Sequence, residues 1–87
     1  MNTATSDGSV SILLFASYAD AFGARRLAVP VATPCSVRDV VDAMRRLPGG
    51  HVLPAMPLVA VNRAWVGLDA TIEPGTEVAV IPPVAGG

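Results

Sequence analysis

The chain has 87 residues, 52% apolar and 15% charged, with a formal net charge of −1. That length supports one domain with one modest core, too small to enclose a substrate pocket of its own, and the charge gives no footprint for nucleic acid or an anionic membrane. The high apolar share leaves surface for a partner, and the single cysteine, Cys35, excludes an internal disulfide framework and fits a reducing compartment. The basic residues are Arg25, Arg26, Arg38, Arg45, Arg46 and Arg63, so no lysine side chain is available for a Schiff base or an isopeptide bond.

In chain order, residues 1–8 lack the positive start and apolar middle of a secretory signal and are expected to form a disordered leader. No apolar run reaches the ~18 residues of a membrane span, and a cytoplasmic protein is expected. Val10 to Ala16 is an apolar stretch short enough for a strand. Alternation puts Val10, Ile12, Leu14 and Ala16 on one face and Leu13 and Phe15 on the other, as in a strand covered on both sides. Tyr18 to Gly23 reads as a connection with at most one helical turn. Arg26 to Ala32 reads as a second strand, at an edge because Pro30 cannot donate to a central ladder.

Ser36 predicts the N-cap of the main helix, with Asp39 three residues on as a short-armed capping box. Val37, Val40, Val41, Met44 and Leu47 form one apolar stripe, and Pro48-Gly49-Gly50 stops it. His51 to Pro57 is a crossing loop. Leu58 to Val61 is a strand, Asn62-Arg63 a turn, Trp65 to Leu68 a return, Pro74-Gly75 a second turn, and Glu77 to Ile81 the last strand. The order predicts an α+β domain over residues 9–83, with a mixed sheet of four to five strands packed on one main helix. It matches the ubiquitin-like β-grasp plan.

Residues 84–87 are expected to be a flexible tail. Pro82 and Pro83 stiffen the exit from the last strand, while Gly86 and Gly87 carry no side-chain bulk. The result is a thin thread whose Gly87 carboxylate can enter a narrow channel in another protein. A carboxylate is a poor acyl donor, so a partner must activate it, most simply as an acyl-adenylate. A sulfur nucleophile would then leave a C-terminal thiocarboxylate. Glycine pairs also occur at frayed ends without meaning, as Gly49-Gly50 does at a helix stop. The context of strand, paired prolines, small residues and glycines is what distinguishes Gly86-Gly87.

Ile81-Pro82-Pro83-Val84-Ala85-Gly86-Gly87 resembles the C-terminal signature of molybdopterin synthase small subunits, in the MoaD/ThiS sulfur-carrier family. Leu13-Leu14-Phe15-Ala16, Leu58-Val59-Ala60-Val61-Asn62 and Glu77-Val78-Ala79-Val80 support the resemblance. It implies that a ubiquitin-activating-type enzyme, using its own ATP and magnesium, adenylates Gly87. A sulfur donor, a desulfurase or a rhodanese, then makes the thiocarboxylate. The tail enters the large catalytic subunit of molybdopterin synthase and delivers sulfur to a pterin precursor. By this resemblance the chain binds no cofactor or metal and is not catalytic alone. The resemblance also implies a docking patch of Phe15, Trp65 and Ile81, continued by Pro82, Pro83, Val84 and Ala85. Ala19 stands where the family often carries an arginine. Rival readings are a carrier for thiamine thiazole or another pathway, a ubiquitin-like modifier, and a plain interaction domain.

The remaining candidates read as structural. Cys35 precedes a helix N-terminus, where a thiolate would be stabilised, yet without a histidine or second cysteine it reads as an apolar filler. His51 has no companion ligand, and Asp69 and Glu73 read as solvated turn residues.

Overall fold

The structure, a computed structural model, describes residues 8–83. The elements in order are β1 (Val10–Leu14), α1 (Ala16–Phe22), β2 (Arg26–Val29), β3 (Cys35–Ser36), α2 (Val37–Arg45), a 3-10 turn (Gly50–Val52), β4 (Leu58–Val61), β5 (Ala64–Val66), β6 (Thr71–Ile72) and β7 (Val78–Ile81). Five strands form one mixed sheet in the order β2-β1-β7-β4-β5, with β1 and β7 parallel at its centre and the other pairs antiparallel. β3 and β6 form a separate short ladder.

The helix α2 forms where its caps and stripe dictate. Ser36 Oγ accepts from the Asp39 amide at 3.1 Å and Asp39 Oδ2 accepts from the Ser36 amide at 3.2 Å, completing the reciprocal box. The next two helical amides find carbonyls outside the helix: Val37 N–H donates to Ala70 and Arg38 N–H to Leu68, each at 2.9 Å. The stripe of Val37, Val40, Val41 and Met44 is buried with Ala43. It packs on Val10, Ile12 and Leu14 of β1, Val29 of β2, Val59 of β4 and Val78 and Val80 of β7. The helix ends at Arg45, before Leu47, which still packs partly buried on the core. Gly50, which opens the 3-10 turn, is glycine by necessity, because a Cβ there would meet the Met44 carbonyl oxygen and sit 2.6 Å from Arg45 Cα.

Several local expectations change. β1 stops at Leu14: Phe15 becomes the N-cap of α1, and Ala16 takes a left-handed φ of 48°. The expected single turn is therefore a seven-residue helix, closed by Gly23 at φ 77°. β2 ends before Pro30 and lies at the sheet edge. The return strand is Ala64–Val66, three residues long, because Asn62 (φ 51°) and Arg63 (φ 69°) make a tight two-residue hairpin turn. Pairing of Cys35 with Ile72 and Ser36 with Thr71 adds a ladder that sequence periodicity does not reveal.

The expectation that both faces of β1 are covered is corrected. Val10, Ile12 and Leu14 are buried under α2, while Ser11 is exposed and Leu13 only half-buried. A single main helix covers one face of this sheet. The other stays open among the described residues.

Candidate partner surface and tail exit

Cross-strand register assembles the open face from residues far apart in sequence. One row runs across all five strands: Arg26 opposite Leu13, Leu13 opposite Ala79, Ala79 opposite Ala60, and Ala60 opposite Trp65. A second row places Leu58 opposite Ile81. Ala60 and Ala79 are the low floor of a groove of about 330 Å³, whose walls are Leu13, Phe15, Trp65 and Ile81. Phe15 is 46% exposed, Leu58 47% and Trp65 65%. Large apolar side chains kept in water around an alanine floor form an apolar groove of the kind that can receive apolar anchors.

The polar end of the groove is closed by Arg63 and Glu77, whose side chains approach to 3.8 Å. Asn62 holds the same corner, its Oδ1 accepting from the Glu77 amide at 3.3 Å while its own amide donates to the Glu77 carbonyl at 2.9 Å. A second groove, of about 400 Å³, lies beyond Phe15 and is lined by Leu13, Leu14, Phe15, Ala16, Ala19 and Arg25.

The tail exit follows from the parallel pairing at the sheet centre. Because β7 runs parallel to β1 with Leu14 opposite Val80, Ile81 ends level with Phe15. Pro82 is half-buried and Pro83 exposed, and neither can donate to a ladder. The chain therefore leaves the central strand at the rim of the apolar groove. The expected tail of Val84, Ala85, Gly86 and Gly87 lies outside the described residues, as do residues 1–7 of the expected leader.

Phe15, Trp65 and Ile81, named from the sequence, are brought together around one groove. Sequence reasoning missed Leu58, Ala60, Ala79 and the Arg63–Glu77 rim. Alternation in β4 and β7 would assign their faces, but only the register brings those faces together.

The other candidates fall elsewhere. Burial raises the Cys35 thiol above its ordinary pKa, and the Asp39 carboxylate raises it further. The thiol is thus held toward its protonated form and fills space beside the core, in line with its reading as an apolar filler. His51 is exposed in the 3-10 turn. Asp69 pairs with Arg38 at 2.9 Å on the surface, with no tie to Glu73. No group of three metal-ligating side chains occurs among the described residues, and no described helix is long and apolar enough to cross a membrane.

Comparison with known proteins bears on this surface and exit together. The ThiS family matches residues 12–87 of the chain. The chain belongs to the ThiS family. That places it among ubiquitin-like sulfur carriers, and its helix-covered mixed sheet is the ubiquitin-like β-grasp. SAMP1 from Haloferax volcanii, a small archaeal modifier protein, is similar at 29% identity and a TM-score of 0.76, over 92% of this chain and 100% of that one. The Haloferax volcanii protein HVO 2177 is similar at 26% identity and a TM-score of 0.69, over 92% of this chain and 89% of that one. A Pyrococcus furiosus protein named for molybdopterin converting factor, subunit 1, shares the fold at 22% identity and a TM-score of 0.73, over 87% of this chain and 98% of that one. No curated protein matches.

Proposed function

We propose that this ThiS-family chain is the sulfur-carrier subunit of a molybdopterin synthase, with the Gly87 carboxylate as its working group. The observation that carries the reading is the exit of β7 through Ile81-Pro82-Pro83 at the edge of an exposed apolar groove. A partner seated on that groove lies beside the point where the chain leaves β7 toward the tail. Preorganised delivery of this kind replaces a bimolecular encounter with a positioned one.

The chain's own residues supply binding and reach; the reacting centres other than Gly87 lie on partners. In the first step the carboxylate oxygen attacks the α-phosphorus of ATP, pyrophosphate leaves, and an acyl-adenylate forms. ATP and magnesium are held by the activating enzyme. The terminal sulfur of a persulfide on a desulfurase or rhodanese then attacks the acyl carbon, AMP leaves with the bonding pair, and a dithiol reductant cleaves the resulting acyl disulfide, leaving the thiocarboxylate, the donor's thiol and an oxidised disulfide. In the large subunit the sulfur passes to the pterin precursor, and water restores the carboxylate. The test is reconstitution: thiocarboxylated chain plus large subunit should convert the pterin precursor to the dithiolene product. No product from fully thiocarboxylated chain would reject this pathway.

A second reading, a protein modifier joined through Gly87 to lysines of other proteins, is favoured by the 29% identity with SAMP1 over all of that chain. Higher-mass conjugates carrying this chain in cell extracts, dependent on Gly87, would select it over the molybdopterin pathway.

A further inference from the structure

The charge around the open face differs from that of the whole chain. The formal net charge is −1, yet Arg25, Arg26 and Arg63 stand around the two grooves, and Glu77 is the one carboxylate lining either. Two of these arginines have internal company: Arg26 donates to Ser11 Oγ at 3.3 Å, and Arg63 lies 3.8 Å from Glu77. Arg25 makes no ion pair or side-chain hydrogen bond with any described residue. It stands in water beside the apolar wall of Leu13, Leu14, Phe15 and Ala19.

The two grooves adjoin each other, because Leu13 and Phe15 line both. A protein that fills the first with an apolar anchor passes over Phe15 and meets Arg25. The backbone there is fixed, since the Arg25 carbonyl accepts from the Leu14 amide at 2.7 Å and so continues the β1–β2 pairing. The guanidinium is thus an uncommitted planar fork carried on a fixed backbone, suited to a carboxylate.

We propose that Arg25 is a specificity-determining residue, which pairs with a carboxylate that flanks an apolar anchor on the enzyme that adenylates Gly87. The occupant is the activating enzyme because both the carrier and the modifier readings require it; the inference rests on that shared activation step. A charged contact at the rim acts mainly on encounter rate and orientation. That suits a carrier which must leave its activator and reach a second partner through the same apolar face.

The experiment uses the full chain with the source organism's purified adenylating enzyme, ATP and magnesium, and reads pyrophosphate release against chain concentration. Arg25→Glu should raise the apparent KM about tenfold with kcat unchanged. Arg25→Lys should recover part of the loss. Arg46→Glu makes the same charge change at an exposed residue that lines neither groove, and should stay within about twofold of the natural chain. Raising salt should increase KM for the natural chain and much less for Arg25→Glu. Thermal unfolding of each variant keeps folding separate from binding. Equal KM values for Arg25→Glu and the natural chain, or equal shifts for Arg25→Glu and Arg46→Glu, would overturn the assignment while leaving activation intact. Absence of pyrophosphate release with the natural chain would instead reject the activation step and the assignment with it.

Discussion

Replacing Trp65 with alanine separates the two duties an apolar side chain can have, folding and docking. Trp65 is 65% exposed and sits on β5 opposite Ala60, at the far end of the cross-strand row that floors the groove. A tryptophan carries about 200 Å² of side-chain surface, so about 130 Å² of it remains open in the free chain. At about 25 cal/mol/Å², covering that area is worth about 3 kcal/mol, and the part already buried contributes at most about 2 kcal/mol to folding. Costs of association take back some of the first figure, so Trp65→Ala should weaken binding to the large subunit by about ten- to a hundredfold. Calorimetric titration against the large subunit gives the affinity, and a thermal melt gives the stability. Ile12→Ala provides the contrast, since Ile12 is fully buried on a central strand and should lose about 2–5 kcal/mol of stability. An unchanged Kd for folded Trp65→Ala would refute the docking role of this face.

Other consequences can be checked on the isolated chain. Ser36→Ala removes the side-chain half of the capping box and should cost about 1 kcal/mol in a denaturant melt; no loss would mean that the carbonyls of Ala70 and Leu68 hold α2 unaided. Gly50→Ala places a Cβ against the Met44 carbonyl and Arg45 Cα, whereas Gly75→Ala meets open space and only a positive φ of 77°. The first should therefore be the more damaging by at least about 1 kcal/mol, and equal costs would contradict the packing described. The Cys35 thiol, pushed up by burial and then by Asp39, stays neutral through physiological pH. Its alkylation at pH 7 should be slower than that of free cysteine and should accelerate only above the ordinary thiol range. Alkylation as fast as free cysteine would contradict it.

The sequence made part of this molecule legible. Ser36 and Asp39 announced α2 because capping is local chemistry. Val37, Val40, Val41 and Met44 announced its buried face because helical period needs no tertiary information. Gly23 and Pro74-Gly75 marked real reversals for the same reason. The end of β1 was hidden, since Phe15 and Ala16 continue the apolar run and nothing in alanine forecasts a φ of 48°. β3 and β6 were hidden too, because two residues cannot display a period. Of the candidate surface, Phe15, Trp65 and Ile81 were found by their match to family positions. The alanine floor, Leu58 and Arg25 depend on which strands are neighbours, and so required the register.

The central claim is that Gly87 ends in a carboxylate made to be activated and to carry sulfur. Intact mass spectrometry of the chain, after incubation with the adenylating enzyme, ATP, magnesium and a sulfur donor, tests it most directly. The account predicts the exchange of one oxygen for one sulfur, located on the terminal glycine by fragmentation and abolished by deleting Gly87. A mass unchanged under conditions where the enzyme consumes ATP with another carrier would contradict it.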